Sequence, residues 1–235
     1  MKDYKRILIK VSGEVLQGKC HSCIDNNAVT QIAQELIEVH NKGIEMGVVI
    51  GGGNFFRGAS SVGNKMKRTD ADNIGMLATI QNSIVLNEKF RELHTDSVVF
   101  TSQNIGNIGL PFNAERAKSA LTNGKIVVFG GGTGNPFFTT DTAAILRTLE
   151  IEADIVLKGT KVDGVYDKDP IKFEDAKFFK TISFDDYIKL NLKIMDLTAI
   201  SLAKEFHLPI KIFNINYYGN IQRAIFEDDF GSLIQ

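Results

Sequence analysis

The sequence predicts an α/β protein, a three-layer α/β/α sandwich around a mostly parallel central sheet. Strand-like and helix-like segments alternate from end to end. The strand-like segments are continuous apolar runs, the pattern of strands covered on both faces. The 235 residues, 43% hydrophobic and 23% charged, have an ordinary globular balance and suffice for one large α/β domain or two small ones.

Arg6 to Val11 (RILIKV) reads as the first strand, broken by Ser12-Gly13-Glu14. Asp25 caps a helix in which Val29, Ile32, Ala33, Leu36 and Val39 recur at helical spacing, and Lys42-Gly43 ends it. Met46 to Ile50 is a buried strand running into GGGNFFRG. Asp70 to Leu93 reads as a long, mostly apolar helix, a candidate subunit contact. Ser97 to Phe100 is a strand, and Asn113 caps a helix that stops at Asn123-Gly124. Ile126 to Phe129 is a strand feeding GGGTGNPFFTTD, and Thr139 to Glu150 is a helix. Asp154 to Leu157 is a strand ending in KGTKVDGVYDKDP. Residues 171–193 read as a hairpin or an irregular excursion. Leu197 to Phe206 is helical, Ile210 to Phe213 a strand, and Asn220 to Phe226 the last helix. There is no repeat, linker or low-complexity stretch, so residues 1–235 are expected to form one domain with two lobes, about 1–150 and 151–235.

A net charge of −1 does not indicate a chain-wide grip on nucleic acid. No apolar run approaches the ~20 residues of a membrane span. MKDYKRILIKVSGE lacks the apolar core and cleavage site of a secretory leader, so a cytoplasmic location is expected. Cys20 and Cys23 form a CxxC without a second ligand pair, and read as two reduced thiols.

Chemistry collects at four strand ends: Lys10-Val11-Ser12-Gly13-Glu14; Gly51-Gly52-Gly53-Asn54 with Arg57-Gly58; Gly130 to Asp141; and Lys158 to Gly164. Open α/β sheets bind ligands there, and glycines let backbone N–H groups approach anions. GxxxxGK[ST], a helix-opening GxGxxG and the HRD and DFG signatures are all absent. Histidines stand at 21, 40, 94 and 207, outside every glycine-rich loop, so nucleophilic catalysis by a Ser/His/Asp or Cys/His set has no support. What remains is Lys10, Arg57 and Lys158 at strand ends, with Asp72 and Asp141 at helix starts. Phosphoryl transfer needs this inventory, because cations must meet the charge of the transferring group. A phosphate monoester acceptor suits a site without a general base. Its second pKa is near ~6, so it arrives already dianionic.

KVSGE, GGGNFFRG, GMLAT, GGTGNPFFTTD, TKVDGVYDKDP and MDLTA, in this order over nearly the whole chain, resemble the bacterial uridylate kinases of the amino-acid kinase family. The resemblance implies transfer of the γ-phosphoryl group of ATP to UMP, giving UDP and ADP. Mg²⁺ would accompany ATP, held mainly by its phosphates, with no metal-ligating side chains. It further implies a cytoplasmic homohexamer in pyrimidine nucleotide (CTP) supply, allosteric control, and UTP as a feedback inhibitor. Lys10, Val11, Ser12, Gly13, Gly53, Arg57, Thr160, Tyr166 and Asp169 would line the ATP site, with the lobe at about 1–150 as the acceptor (UMP) lobe and that at about 151–235 as the ATP lobe. Gly52, Asp72, Thr133, Gly134, Asn135, Pro136, Phe137, Phe138, Thr139 and Thr140 would hold UMP. Lys10, Arg57 and Lys158 would neutralise the transition state, with Asp141 orienting the lysines.

On this reading Phe137 and Phe138 are expected as buried anchors, and Tyr166 near adenine. Asp70 stands two residues before Asp72, so either carboxylate is a candidate for the ribose. Gly18-Lys19-Cys20-His21-Ser22-Cys23 replaces a glycine-rich segment where GTP acts in many members, which argues against GTP activation. Two further readings remain at this point: a kinase of the same fold acting on another small acid or phosphate, and a non-catalytic nucleotide-storage protein.

Overall fold

The computed structural model describes residues 4–18, 23–56 and 66–235; Cys20, His21 and Arg57 lie outside them. In chain order the first elements are β1 (Arg6–Val11), α1 (Glu14–Gln17), α2 (Asn26–His40), β2 (Glu45–Ile50) and α3 (Arg68–Glu92). Then come β3 (Ser97–Thr101), β4 (Leu110–Pro111), α4 (Ala114–Thr122), β5 (Ile126–Gly130), α5 (Thr140–Glu150) and β6 (Ile155–Thr160). The remainder is β7 (Val165–Tyr166), β8 (Phe178–Phe179), β9 (Thr181–Ile182), α6 (Phe184–Lys189), α7 (Leu197–Glu205), β10 (Ile210–Asn214), α8 (Asn220–Phe226) and β11 (Ser232–Ile234).

Nine strands form one sheet in the order β4-β3-β5-β2-β1-β6-β10-β11-β9, parallel throughout except for the β10–β11 pair. The expected mostly parallel sheet is therefore present. β1 is central: the chain builds outward through β2 on one side, then crosses to β6 on the other. That reversal opens a crevice at the carboxyl ends of β5, β2, β1 and β6.

Helices cover both faces because the strands are apolar on both. Ile7, Ile9 and Val11 of β1 pack with α1, α2, α8 and the C-terminal half of α3. Leu8 points the other way, into a second core with α4, α5, α6 and α7. Alternation puts Lys10 on the Leu8 face, and on β6 it puts Lys158 on the Val156 face, the same side of the sheet.

The local signals explain most helix starts. Asp25 accepts from the N–H groups of Asn27 and Ala28, and Asn113 from that of Arg116. Residues 171–193 resolve into regular pieces: β8 closes a small antiparallel pair with β7, and β9 joins the main sheet beside β11. β4 and β11 carry no sequence signal of their own, being two- and three-residue additions that pair with strands already in place. No helix among the described residues is long and apolar enough to cross a membrane.

α3 departs from the expectation of a mostly apolar helix. It buries Thr79, Asn82, Ser83 and Asn87 while Ile74, Leu77 and Ile84 are exposed. The sheet-facing side passes beside two glycine loops whose backbone groups need partners.

Candidate active site

Lys10 and Lys158 are directly paired positions on neighbouring parallel strands. Like charges placed so closely repel, and the structure puts a carboxylate between them. Asp141, in the first turn of α5, lies 2.9 Å from Lys10 Nζ through one oxygen and 2.5 Å from Lys158 Nζ through the other. Its place follows from local sequence: Thr139 caps α5, its hydroxyl accepting from the Asp141 N–H at 3.0 Å, and α5 packs on the face that carries both lysines.

Burial by itself pushes the Asp141 carboxyl up, but the two ammonium groups overcome it and hold the carboxyl at about 2. Burial pushes Lys158 down to about 8, with Asp141 pulling against it and Lys10 adding to the fall. Lys158 also donates to the Ile194 carbonyl. That carbonyl is steadied by Tyr187, whose buried hydroxyl donates to Met195 O at 3.1 Å and accepts from Met195 N–H at 2.7 Å.

Two cavities meet here. One, about 310 Å³, lies beyond β2 and β5 and is lined by Gly52, Gly53, Asp72, Gly75, Thr133 and Phe138, among others. The second, about 550 Å³, lies beyond β1 and β6 and is lined by Lys10, Asp141, Lys158 and the 191–197 segment. Thr139 and Thr140, at the N-terminus of α5, line both. A helix N-terminus favours negative charge, so the seam between the cavities carries two ammonium groups, one carboxylate and a positive dipole end.

The glycines earn their positions. A Cβ on Gly52 would lie 2.8 Å from Ala78 Cβ and 2.9 Å from Gly75 O, so the loop backbone rests directly on α3. Gly131 and Gly134 have φ of +85° and +84°, a region that L side chains rarely adopt.

The predicted residues fall into groups. Gly52, Asp72, Thr133, Asn135, Phe138, Thr139 and Thr140 line the first cavity; Gly134, Pro136 and Phe137 belong to the same loop but stand outside its lining. Asp72 is the carboxylate that faces this cavity, while Asp70 is exposed. Asp72 accepts from Arg68 Nε at 2.8 Å and from the Phe137 N–H at 2.7 Å. Gly53 also lines the first cavity. Val11 is core, leaving only its backbone for a ligand, and Ser12 and Gly13 form the turn into α1.

Thr160, Tyr166 and Asp169 stand outside the linings of both cavities. The Thr160 hydroxyl donates to Val162 O, Tyr166 stacks edge-on against Phe178 with centroids 5.3 Å apart, and Asp169 accepts from Ile171 N–H. Arg57 lies outside the described residues.

Phe137 and Phe138 are not buried anchors: they are 65% and 46% exposed. Phe137 has φ +73°, and its N–H is taken by Asp72, so the turn throws its ring outward over Arg68. Asp196 was missed by the residue reading. It accepts from the hydroxyls of Thr139 and Thr142 and from Ala199 N–H, tying the start of α5 to the start of α7. An aspartate three residues before Ala199, opening an apolar helix, is the cap signal that marks it. Asn54 and Asn82 were missed too, because a buried asparagine pair between loop and helix has no local signature.

Among the described residues no group of three His, Cys, Asp or Glu is arranged to hold a metal. Asp141 and Asp196 are already engaged with cations and donors. This donor set suits a divalent cation that is carried by a ligand's phosphates and reached through water.

Fold and crevice together define an α/β phosphotransferase built on strand-end loops instead of a phosphate-binding P-loop. The chain belongs to the amino acid kinase family, whose sequence profile matches residues 5–214. It is 43% identical over 234 residues to the uridylate kinase of Bacteroides thetaiotaomicron, covering 100% of this chain and 99% of that one. To the uridylate kinase of Buchnera aphidicola subsp. Schizaphis graminum it is 47% identical, covering 99% and 97%. The crystal structure of UMP kinase from Bacillus anthracis superposes with a TM-score of 0.95 at 36% identity over 100% of this chain and 97% of that one. That of UMP kinase from Ureaplasma parvum gives 0.93 at 33%, covering 99% of each.

Proposed function

We propose that this chain transfers the γ-phosphoryl group of ATP to UMP, giving UDP and ADP. The observation that carries the reading is the meeting of two cavities at Thr139–Thr140, beside the Lys10–Asp141–Lys158 cluster. Whole-length similarity to uridylate kinases supports the choice of acceptor.

UMP occupies the first cavity, its ribose towards Asp72 and its phosphate near the N-terminus of α5, with Gly52 and the loop from Thr133 to Thr140 around it. ATP lies beyond β1 and β6 over Lys10 to Gly13, with Gly53 beneath its phosphates and Thr160, Tyr166 and Asp169 along its outer part. The lobe at about 1–150 thus holds the acceptor and lends Lys10 to Gly13 and Gly53 to the donor, and the lobe at about 151–235 completes the donor site.

The two phosphates repel, and the protein's work is to bring them in line. Lys10 and Lys158 take up the charge that builds on the transferring group; Asp141 keeps both ammonium groups aimed and charged. Arg57 is assigned a third positive contact on its motif alone. Mg²⁺ on the ATP phosphates supplies further neutralisation when bound. The UMP phosphate is already dianionic at neutral pH, so no side chain has to remove a proton.

A cytoplasmic homohexamer, a role in CTP supply and feedback inhibition by UTP complete the proposal, with the exposed Ile74, Leu77 and Ile84 of α3 as a subunit contact. The test is ADP release coupled to a spectrophotometric readout, with UMP, CMP or dUMP as acceptor, and with and without UTP or GTP. UMP should far outpace CMP and dUMP. Equal rates on CMP would remove the specificity, and ATP binding without turnover would favour a storage role.

A further inference from the structure

We infer that Thr79 and Asn82, on one buried stripe of α3, are positioning residues that hold the two glycine loops of the crevice in register. The role in turnover rests on the proposed function; the structural role does not. Thr79 serves the acceptor loop: its hydroxyl accepts from the Gly131 N–H at 2.8 Å and donates to Met76 O at 2.7 Å. Its one proton and one of its two lone pairs are thereby engaged within the protein. Thr79 also lines the first cavity but is only 3% exposed, so its assigned role is to hold the loop.

Asn82, one turn further on and 0% exposed, serves the other loop. Its Nδ2 donates to Gly51 O and to Asn54 Oδ1, both at 2.7 Å, and its Oδ1 accepts from Asn54 Nδ2 at 3.0 Å. The turn after β1 is pressed onto this pair. A Cβ on Gly13 would lie 2.4 Å from both Gly51 O and Asn54 Oδ1, and 2.8 Å from Asn82 Nδ2. One rigid helix therefore fixes Gly131 through Thr79, and Gly51, Asn54 and Gly13 through Asn82. This also explains why α3 buries amides and hydroxyls while leaving Ile74, Leu77 and Ile84 outside. A buried polar group that loses its partner is costly, so removing either side chain frees a loop instead of leaving it in place.

Thr79→Val keeps the shape and removes the hydroxyl; Thr79→Ser keeps the hydroxyl; Asn82→Leu removes the amide. In Thr79→Val the KM for UMP should rise about tenfold, the expected scale for stranding a buried N–H, with the KM for ATP within about twofold. Thr79→Ser should restore it. Asn82→Leu should raise the KM for ATP as well, because it releases the Gly13 turn. In the unliganded proteins, amide hydrogen exchange across 130–138 should quicken in Thr79→Val and not in Thr79→Ser. Unchanged exchange and unchanged UMP KM in Thr79→Val would overturn the inference. So would a parallel shift of both KM values that Thr79→Ser fails to reverse. Faster exchange in Thr79→Val, alongside a wild type that never turns over UMP, would keep the positioning role and remove the proposed function.

Discussion

Replacing Asp141 by asparagine preserves shape and removes the one negative charge between two ammonium groups. Lys10 Nζ is 2.9 Å from one carboxylate oxygen and Lys158 Nζ 2.5 Å from the other. The carboxyl is held at about 2 against an ordinary 3.8, a preference for the ionised form on the order of 2 kcal/mol. Burial opposes ionisation, so the attraction of the two lysines exceeds that net figure.

In Asp141→Asn, Lys10 and Lys158 stay paired across parallel strands without a counter-charge. Breaking a buried ion pair from one side costs about 3–5 kcal/mol, and the variant should lose stability of about that size at pH 7. A carboxyl with a depressed folded pKa contributes fully above 3.8 and loses its contribution as pH falls towards 2. The urea-denaturation curves of wild type and variant should therefore converge as pH is lowered through that window. Lys158, already down at about 8, is pushed lower once Asp141 is gone, because burial and Lys10 are then opposed by Asp196 alone, the smallest of the upward influences. Part of the enzyme then lacks a cation at pH 7, and kcat/KM for ATP should fall by about 10- to 100-fold. A variant within about 0.5 kcal/mol of wild type at pH 7, with unchanged kcat/KM, would refute the assignment of Asp141 as the holder of both lysines.

Two further outcomes are expected. In the wild type, kcat/KM for ATP should decline as pH rises through about 8, where Lys158 loses its proton. Over the interval from about 8 to 10.5 the unfolded chain binds the proton that the folded one has released, so Lys158 makes stability rise with pH there. Thermal melts and kinetics over that range should part company; a joint decline would contradict the burial argument. Gly52→Ala puts a methyl 2.8 Å from Ala78 Cβ and 2.9 Å from Gly75 O. It should cost about 1–3 kcal/mol and raise the KM for UMP, and calorimetry with a UMP titration showing neither change would argue against close loop–helix packing.

The sequence by itself determined the layered architecture and the strand-end loops that line the crevice. Apolar runs such as Ile126 to Phe129 need cover on both faces, and glycine-rich segments after them can only be strand-end loops. Caps at Asp25, Asn113 and Thr139 are local hydrogen-bond events, so they too were legible. Only the tertiary structure decided which groups meet. That Lys10 stands beside Lys158 is a matter of register between strands 148 positions apart in the chain, and that Asp141 falls between them depends on which face α5 covers. The outward turn of Phe137, the choice of Asp72 over Asp70, and the buried Thr79–Asn82 stripe arise the same way. Each depends on a partner distant in sequence, whose position exists only once the sheet has closed and α3 and α5 have packed against its opposite faces.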